Sequence, residues 1–345
     1  RELPHERSEE ILSSLGEGAE ELETLLEYAE STAGAIMSPH FVALAENLAT
    51  QSAIEHVRRF GDADASSYVY VVDERQYLVG VVSLRQLILQ PPDKCLRDFM
   101  TPDPIRVSTD TDQEEVARVV ARYDILAVPV VDPWNRLVGV VTVDDVIDVM
   151  RQEATEDILK LAGTTTEETS APGPLRGAWI RFPWLVSSFV GGFAGVALLS
   201  FFAETLARTV QIAFFLPIIL GMGGNVGNQC STVIVRGLAT GRLDVRELPR
   251  ILAHEAGTSV LLAMVFSLGL AGFAALIGFG PALFPIAVAM GIFCSIMIAA
   301  SVGTFLPLFF SRIGVDPAVA SGPLVTTSTD VMGILAFSLI AVSIL

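Results

Sequence analysis

The stretch "SGPLVTTSTDVMGILAF", Ser321–Phe337, decides how the second half of this chain is read. It is apolar enough for a bilayer, yet it holds a carboxylate, Asp330, between Thr329 and Val331. A charge at membrane depth is costly and usually marks an ion path, a proton relay or a partner charge. Snorkelling to an interface is a weaker account, because Asp is short and Asp330 lies several residues inside the segment. The nearby basic residues are all expected in loops, so a partner charge is hard to find. Thr326, Thr327, Ser328 and Thr329 surround Asp330 with hydroxyls. One carboxylate cannot hold a divalent ion alone. Two copies on a twofold axis would suit Mg²⁺, which keeps several of its waters and takes one or two carboxylates.

Working outward, the chain has 345 residues, 51% of them hydrophobic, and a mean hydropathy of +0.54. That points to membrane spans. Residues 1–175 hold 33 acidic and 14 basic side chains, a net charge of −19, and residues 176–345 hold 6 and 8, a net of +2. An acidic soluble half is thus followed by a membrane half. The acidic balance argues against nucleic acid and favours cations as partners. Cys95, Cys230 and Cys294 are scattered, with no metal spacing and no disulfide framework. The opening run, "RELPHERSEEILSSLGEGAEELETLLEYAEST", is polar and helix-like and reads as the remainder of a longer N-terminal region.

Five apolar segments approach or exceed the ~20 residues that cross a bilayer: 184–206, 212–235, 254–279, 284–310 and 321–344. Arg176 and Arg181 precede the first. Arg236, Arg242, Arg246 and Arg250 lie between the second and third, and Arg312 between the fourth and fifth. The opposite side has Arg208 alone. The positive-inside rule then puts the soluble half in the cytosol and the C-terminus outside. The second segment, "FFLPIILGMGGNVGNQCSTVIVRGLATG", is unusual. Its glycines permit close helix contact, and Asn225, Asn228 and Gln229 need partners or water at that depth. Helix–helix glue is one reading. A pore wall facing a hydrated ion is the other.

The soluble half contains a duplication. "SYVYVVDERQYLVGVVSLRQLI" (Ser67–Ile88) and "LAVPVVDPWNRLVGVVTVDDVI" (Leu126–Ile147) share strand, Asp turn, strand and helix start. A Met-Ser/Thr-Pro step precedes each, "MSPHFVAL" and "MTPDPIRV", with a helical pattern between. The pattern resembles a tandem pair of cystathionine-β-synthase (CBS) domains over residues 37–150. That family's ribose pattern, G-x-x-[ST]-x-x-D, is met by Gly139, Thr142 and Asp145. In the first repeat Gly80 and Ser83 are followed by Gln86, and an amide offers one acceptor oxygen where a carboxylate offers two. Thr142, Ser83 and Arg85 are the candidate nucleotide contacts. Gln86 speaks against ATP in the first repeat, and a nucleotide-free dimer module reads at least as well.

After the second repeat, "VDDVIDVMRQEATEDILKLAG" (Val143–Gly163) has apolar residues at helical spacing. Its acidic face carries Asp145, Asp148, Glu153, Glu156 and Asp157, with Arg151 nearby. These carboxylates repel one another unless cations screen them. The helix is either a solvated linker or a divalent-cation sensor, and "TTTEETSAPGP" reads as a flexible link to the membrane.

The order of parts resembles the MgtE family of magnesium channels. "LPIILGMGGNVGNQ", "VRGLATG" and "GVDPAVASGPLVTTSTDVMGIL" carry the resemblance, which covers nearly the whole chain. It implies cytosolic α/β tandem CBS domains (37–96 and 97–145), after a remnant of a helical N-terminal domain over 1–36. An acidic plug helix and linker (146–175) would then lead to an all-α membrane domain of five transmembrane helices (176–345). It implies a homodimer in the plasma (inner) membrane that imports Mg²⁺ and, at high cytosolic Mg²⁺, closes. Asp330 matches the pore carboxylate, Asn225 and Asn228 the polar motif, and Asp316 an acidic position at the cytosolic mouth. Thr326 and Thr327 complete the candidate pore residues. Asp145, Asp148, Glu153, Glu156 and Asp157 match regulatory Mg²⁺ positions. Sensor carboxylates of a longer N-terminal domain are missing from this sequence.

Three other readings are weaker. A zinc protease would need a second His in "HEAGT", where Thr258 stands. A CBS-regulated anion channel would need bases at membrane depth. A proton-coupled carrier would use Asp330 as a relay, and flux with and without a pH gradient separates it from a channel. Selectivity among Mg²⁺, Mn²⁺, Co²⁺ and Ca²⁺ is not written in the residues.

Overall fold

The computed structural model describes residues 24–59, 67–168, 173–240, 243, 248–278, 280–320 and 322–345. Most of the N-terminal run, together with Arg242 and Arg246, lies outside the described residues. The chain forms two compact units, Arg1–Glu153 and Ala154–Leu345.

The first unit is built from the duplicated α/β pattern. Helix α1 (Ala33–Ile36) is followed by β1 (Ala43–Ala45), α2 (Thr50–Arg59), β2 (Tyr68–Val72), β3 (Leu78–Ser83), α3 (Leu84–Leu89) and β4 (Thr101–Pro102). The second round comprises β5 (Val107–Ser108), α4 (Gln113–Tyr123), β6 (Ala127–Val131), β7 (Leu137–Thr142) and α5 (Val143–Leu161). One sheet has the order β1-β2-β3-β4 and the other β5-β6-β7. The first pair in each is parallel and the central hairpin antiparallel.

The repeats agree in detail. Val71 faces Gly80 and Val130 faces Gly139, and in both hairpins the register slips one residue later. Both turns are closed by an aspartate. Asp73 Oδ1 accepts from the N–H groups of Arg75 and Tyr77, and Asp132 Oδ1 from those of Trp134 and Arg136. Such side-chain turns, with left-handed residues at Gln76 and Asn135, fix the hairpins locally.

The repeats also exchange their leading segments. A Cβ on Gly80 would overlap Met100, and one on Gly139 would overlap Met37. Ser38 bridges to Val140, while β4 pairs with β3. Each Met-Ser/Thr-Pro step thus packs on the sheet of the other repeat. Tyr70, Leu78, Ala127, Val131 and Val140 form an apolar cluster drawn from both repeats.

The residues at the ribose-motif positions cap helices. Ser83 and Gln86 make a reciprocal capping box at α3. Asp145 Oδ2 accepts from the Thr142 hydroxyl at 2.6 Å and from the Thr142 N–H at 3.3 Å, capping α5. Substituting such a cap costs ~1 kcal/mol. We therefore expect Thr142→Ala to lower the thermal midpoint of the protein by a few degrees whether or not a nucleotide is supplied. Calorimetry checks this, and a loss that appears only with nucleotide would assign the motif to ligand binding.

The second unit is helical. It holds the end of α5, then α6 (Pro174–Phe201), α7 (Ala203–Arg208), α8 (Gln211–Ala239), α9 (Leu248–Ile277), α10 (Phe284–Arg312) and α11 (Pro323–Ile344). Among the described helices α6, α9, α10 and α11 are long and apolar enough to cross a membrane. The expected second span, α8, has 29 residues, about 44 Å at 1.5 Å each, so length does not exclude it. Its glycines and amides lower its hydropathy. The first span was expected at 184–206, but α6 starts ten residues earlier, with Pro174 in its first turn, and stops at Phe201. Arg176, Arg236, Arg250 and Arg312 consequently sit within terminal turns of helices and Arg181 about two turns inside α6, rather than in the loops expected from sequence.

Helix α10 is the central element, packed against α8, α9 and α11, and α6 leans on α11. The core gathers Ile212, Phe215, Ile219, Val226, Phe284 and Ile296 with Phe337 and Ala341. A Cβ on Gly303 would run into the Gly227 carbonyl, so α8 and α10 cross backbone to backbone there.

Candidate ion pathway

Asp330 lies on α11 about two turns from Pro323, which opens that helix. Its side chain is half-buried, and no hydrogen bond or ion pair to it occurs among the described residues. One turn earlier, Thr326 Oγ1 accepts from the Asn228 amide of α8 at 3.2 Å. The other end of that amide, Oδ1, is buried with no partner. Asp330, Thr326 and Asn228 thus bring together one carboxylate, one hydroxyl and one uncommitted carbonyl oxygen. These are hard oxygen donors of the type that suit hydrated Mg²⁺.

Other candidates are employed differently. The Thr327 hydroxyl donates to Ser188 of α6 at 3.2 Å, and a Cβ on Gly191 would overlap Thr327. Thr327 therefore joins α6 to α11. The Thr329 hydroxyl donates to the Thr326 carbonyl. Asn225 and Gln229 are exposed on α8. Gly223, Gly224 and Gly227 are buried, and a Cβ on Gly227 would lie 3.1 Å from Val325, 3.2 Å from Thr329 and 3.3 Å from the Ala299 carbonyl. Of the two readings of this segment, glue fits the glycines, and among the described residues Asn228 is the amide of this segment that reaches α11. Ser295 of α10 donates to the Ile219 carbonyl and lies near both Gly223 and Gly333, at the junction of α8, α10 and α11.

Asp316 sits between α10 and α11. Gly314, with φ +74°, ends α10, and Asp316 Oδ1 caps the following turn through the Ala318 N–H at 2.8 Å. Its Oδ2 accepts from Lys160 Nζ at 2.6 Å, and the same ammonium lies 2.5 Å from Glu156. Burial works against that charge, yet the hydrogen bonds to Asp316 and Glu156 hold the ammonium above the ordinary lysine range. A Cβ on Gly322 would overlap the Leu161 carbonyl, and one on Gly163 would lie 3.0 Å from Pro323. The last turn of α5 therefore rests on the start of the helix that carries Asp330.

The carboxylates expected to be regulatory do not gather. Asp145 caps α5, Glu153 accepts from Gln113 at 2.5 Å, Glu156 pairs with Lys160, and Asp148 lies 3.8 Å from Arg151. Among the described residues no three His, Cys, Asp or Glu side chains converge as a metal site. Of these partners only Lys160 and the more distant Arg151 are cations, so they offset part of the mutual repulsion expected from sequence. Lys160 was missed, although its i,i+4 spacing from Glu156 was a readable signal. Ser188 carried no signal, because its role depends on which face of α6 meets α11. The remaining nucleotide candidate, Arg85, lies on α3 just after its cap residue Ser83.

A duplicated α/β module followed by long apolar helices, one of which carries a half-buried carboxylate, points to a membrane transport protein. Comparison with known proteins names the family. The CBS domain matches residues 33–91 and 96–152, and MgtE, described as a divalent cation transporter, matches residues 216–340. The magnesium transporter MgtE of Thermus thermophilus is 42% identical over 324 residues, covering 93% of this chain and 72% of the relative. That of Bacillus subtilis is 36% identical over 317 residues, covering 92% and 70%. A crystal structure of the soluble part of a magnesium transporter shares 44% identity over 44% of this chain and 60% of its own, with a TM-score of 0.43. The chain belongs to the MgtE family of magnesium transporters.

Proposed function

We propose that this protein is a Mg²⁺-selective channel that imports Mg²⁺ across the plasma membrane and is gated by cytosolic Mg²⁺. The observation that carries the reading is the half-buried carboxylate of Asp330, without a protein cation, one turn from the Asn228–Thr326 pair. In this reading α8 is a fifth span beside α6, α9, α10 and α11, the CBS pair is cytosolic and the C-terminus is outside. Two copies face each other across a twofold axis, so that two Asp330 carboxylates flank one hydrated ion. An inside-negative potential adds ~2.3 kcal/mol per charge per 100 mV, and thus about twice that for a divalent ion.

The acidic residues of α5 serve as the sensor. Asp148, Glu153, Glu156 and Asp157 repel their counterparts in the dimer when Mg²⁺ is scarce. At high Mg²⁺ the ion bridges them and favours the closed state, which it must bind more tightly than the open one. ATP at Thr142, Ser83 and Arg85 would be a modulator, and Gln86 weakens that reading.

Mg²⁺ uptake into proteoliposomes tests the function. Uptake should follow the Mg²⁺ gradient and the potential and be indifferent to a pH gradient. Uptake that collapses without a pH gradient would make Asp330 a proton relay in a coupled carrier. For the sensor, Mg²⁺ should protect residues 150–165 from proteolysis, and equal cleavage with and without Mg²⁺ would contradict it.

A further inference from the structure

We propose that Lys160 is a built-in latch that holds the end of α5 against the pore helix using the protein's own cation. This rests on the reading of α5 as the closing element and adds a second determinant of closure beside Mg²⁺. The Lys160 ammonium lies 2.5 Å from Glu156 and 2.6 Å from Asp316. Glu156 belongs to the same helix, so its contact only orients the lysine. Asp316 belongs to the turn after α10, 156 residues away, so that contact is the one that ties two parts of the molecule.

The surroundings favour the arrangement. Lys160 occupies the last turn of α5, where a cation complements the helix dipole. Its side chain is 23% exposed, so the pair is only partly screened by water. Asp316 is fixed by its cap on Ala318, and the Leu161 carbonyl abuts Gly322, where φ is +59°. A side chain at Gly322 would push α5 away. The latch is therefore a charge contact backed by a close backbone fit.

The consequence is that closure does not begin from zero. A divalent ion and Lys160 both neutralise Glu156 and Asp316, so the lysine sets how much closed state exists before any Mg²⁺ arrives. Removing it should loosen the resting contact and leave closure dependent on Mg²⁺ alone.

The test is limited proteolysis of the full chain in chelator, followed between residues 153 and 168 with a protease that cuts after acidic residues. A Lys-directed protease would lose a site in the variant. Lys160→Met and Asp316→Asn are expected to be cleaved about three- to tenfold faster than wild type, the range for losing a charged, part-buried hydrogen bond. Lys160→Arg keeps the charge and is expected to be cleaved at the wild-type rate. The Asn in Asp316→Asn still caps the turn, so that variant guards against a mere folding defect. Lys160→Met cleaved at the wild-type rate, or Lys160→Arg as fast as Lys160→Met, would overturn the latch. The Mg²⁺ response of wild type is read separately. If it is absent while the variants still differ in chelator, the gating reading fails and the latch stands.

Discussion

Replacing Gly303 by alanine is expected to destabilise the helix bundle, whereas the same change at Gly272 is expected to be neutral or mildly stabilising. Both glycines lie inside long helices, α10 and α9, where alanine has the better helix propensity by ~1 kcal/mol. They differ in what a Cβ would meet. At Gly272 nothing lies within 4 Å. At Gly303 the Cβ would strike the Gly227 carbonyl, a backbone group that cannot rotate away. The helices would have to separate at the point where Gly227 also receives Val325 and Thr329 of α11. Overpacking of this kind costs about 1–3 kcal/mol, and a backbone obstacle places it at the upper end. Thermal unfolding in detergent should show a fall of several degrees for Gly303→Ala and none for Gly272→Ala. Equal midpoints would mean that the α8–α10 crossing is looser than described.

Much of the fold was legible because its signals are local. The duplication could be read from the Asp turns and the matched valine runs. The structure reproduces them down to the shared register slip after Val71 and Val130. Four of the five expected spans could be read from apolar length, although α6 extends into a polar, proline-led start; α8, with its glycines and amides, is not among the helices apolar enough to cross. What sequence could not show is the exchange of leading segments between repeats. Met37 and Met100 precede their own repeats in the chain but pack on the glycines of the other.

The candidate site was legible in part for the same reason. Asp330 stood out because a charge in an apolar run needs no partner information to be noticed. Thr327 was grouped with it by proximity in sequence, yet helical geometry turns its hydroxyl toward Ser188. The acidic run on α5 read as uncompensated because Lys160, on the same helix four residues after Glu156, was overlooked. Asp316 and Lys160 are distant in sequence, and only the fold brings them to 2.6 Å.

Asp330→Asn is expected to abolish Mg²⁺ uptake while leaving the protein folded. The amide matches the carboxylate in size, so α11 keeps its packing through Thr329, Gly333 and Phe337, all buried on the same helix. What is lost is charge. A carboxylate near a divalent ion contributes several kcal/mol even at the effective dielectric of about 20 that suits proteins. Removing it from both copies should lower flux by at least about a hundredfold. Asp330→Glu keeps the charge on a longer arm and should retain part of the flux. Asn228→Ala, which removes the uncommitted Oδ1 and the contact to Thr326, should have a smaller effect, because water can replace a neutral oxygen.

The proposed ion path depends on Asp330, and the most direct measurement compares Mg²⁺ uptake by wild type and Asp330→Asn in matched proteoliposomes. An inside-negative potential is imposed and the pH is equal on both sides. The account predicts uptake that rises with the potential for wild type and stays at the level of empty vesicles for Asp330→Asn. Uptake by Asp330→Asn at the wild-type rate would contradict it.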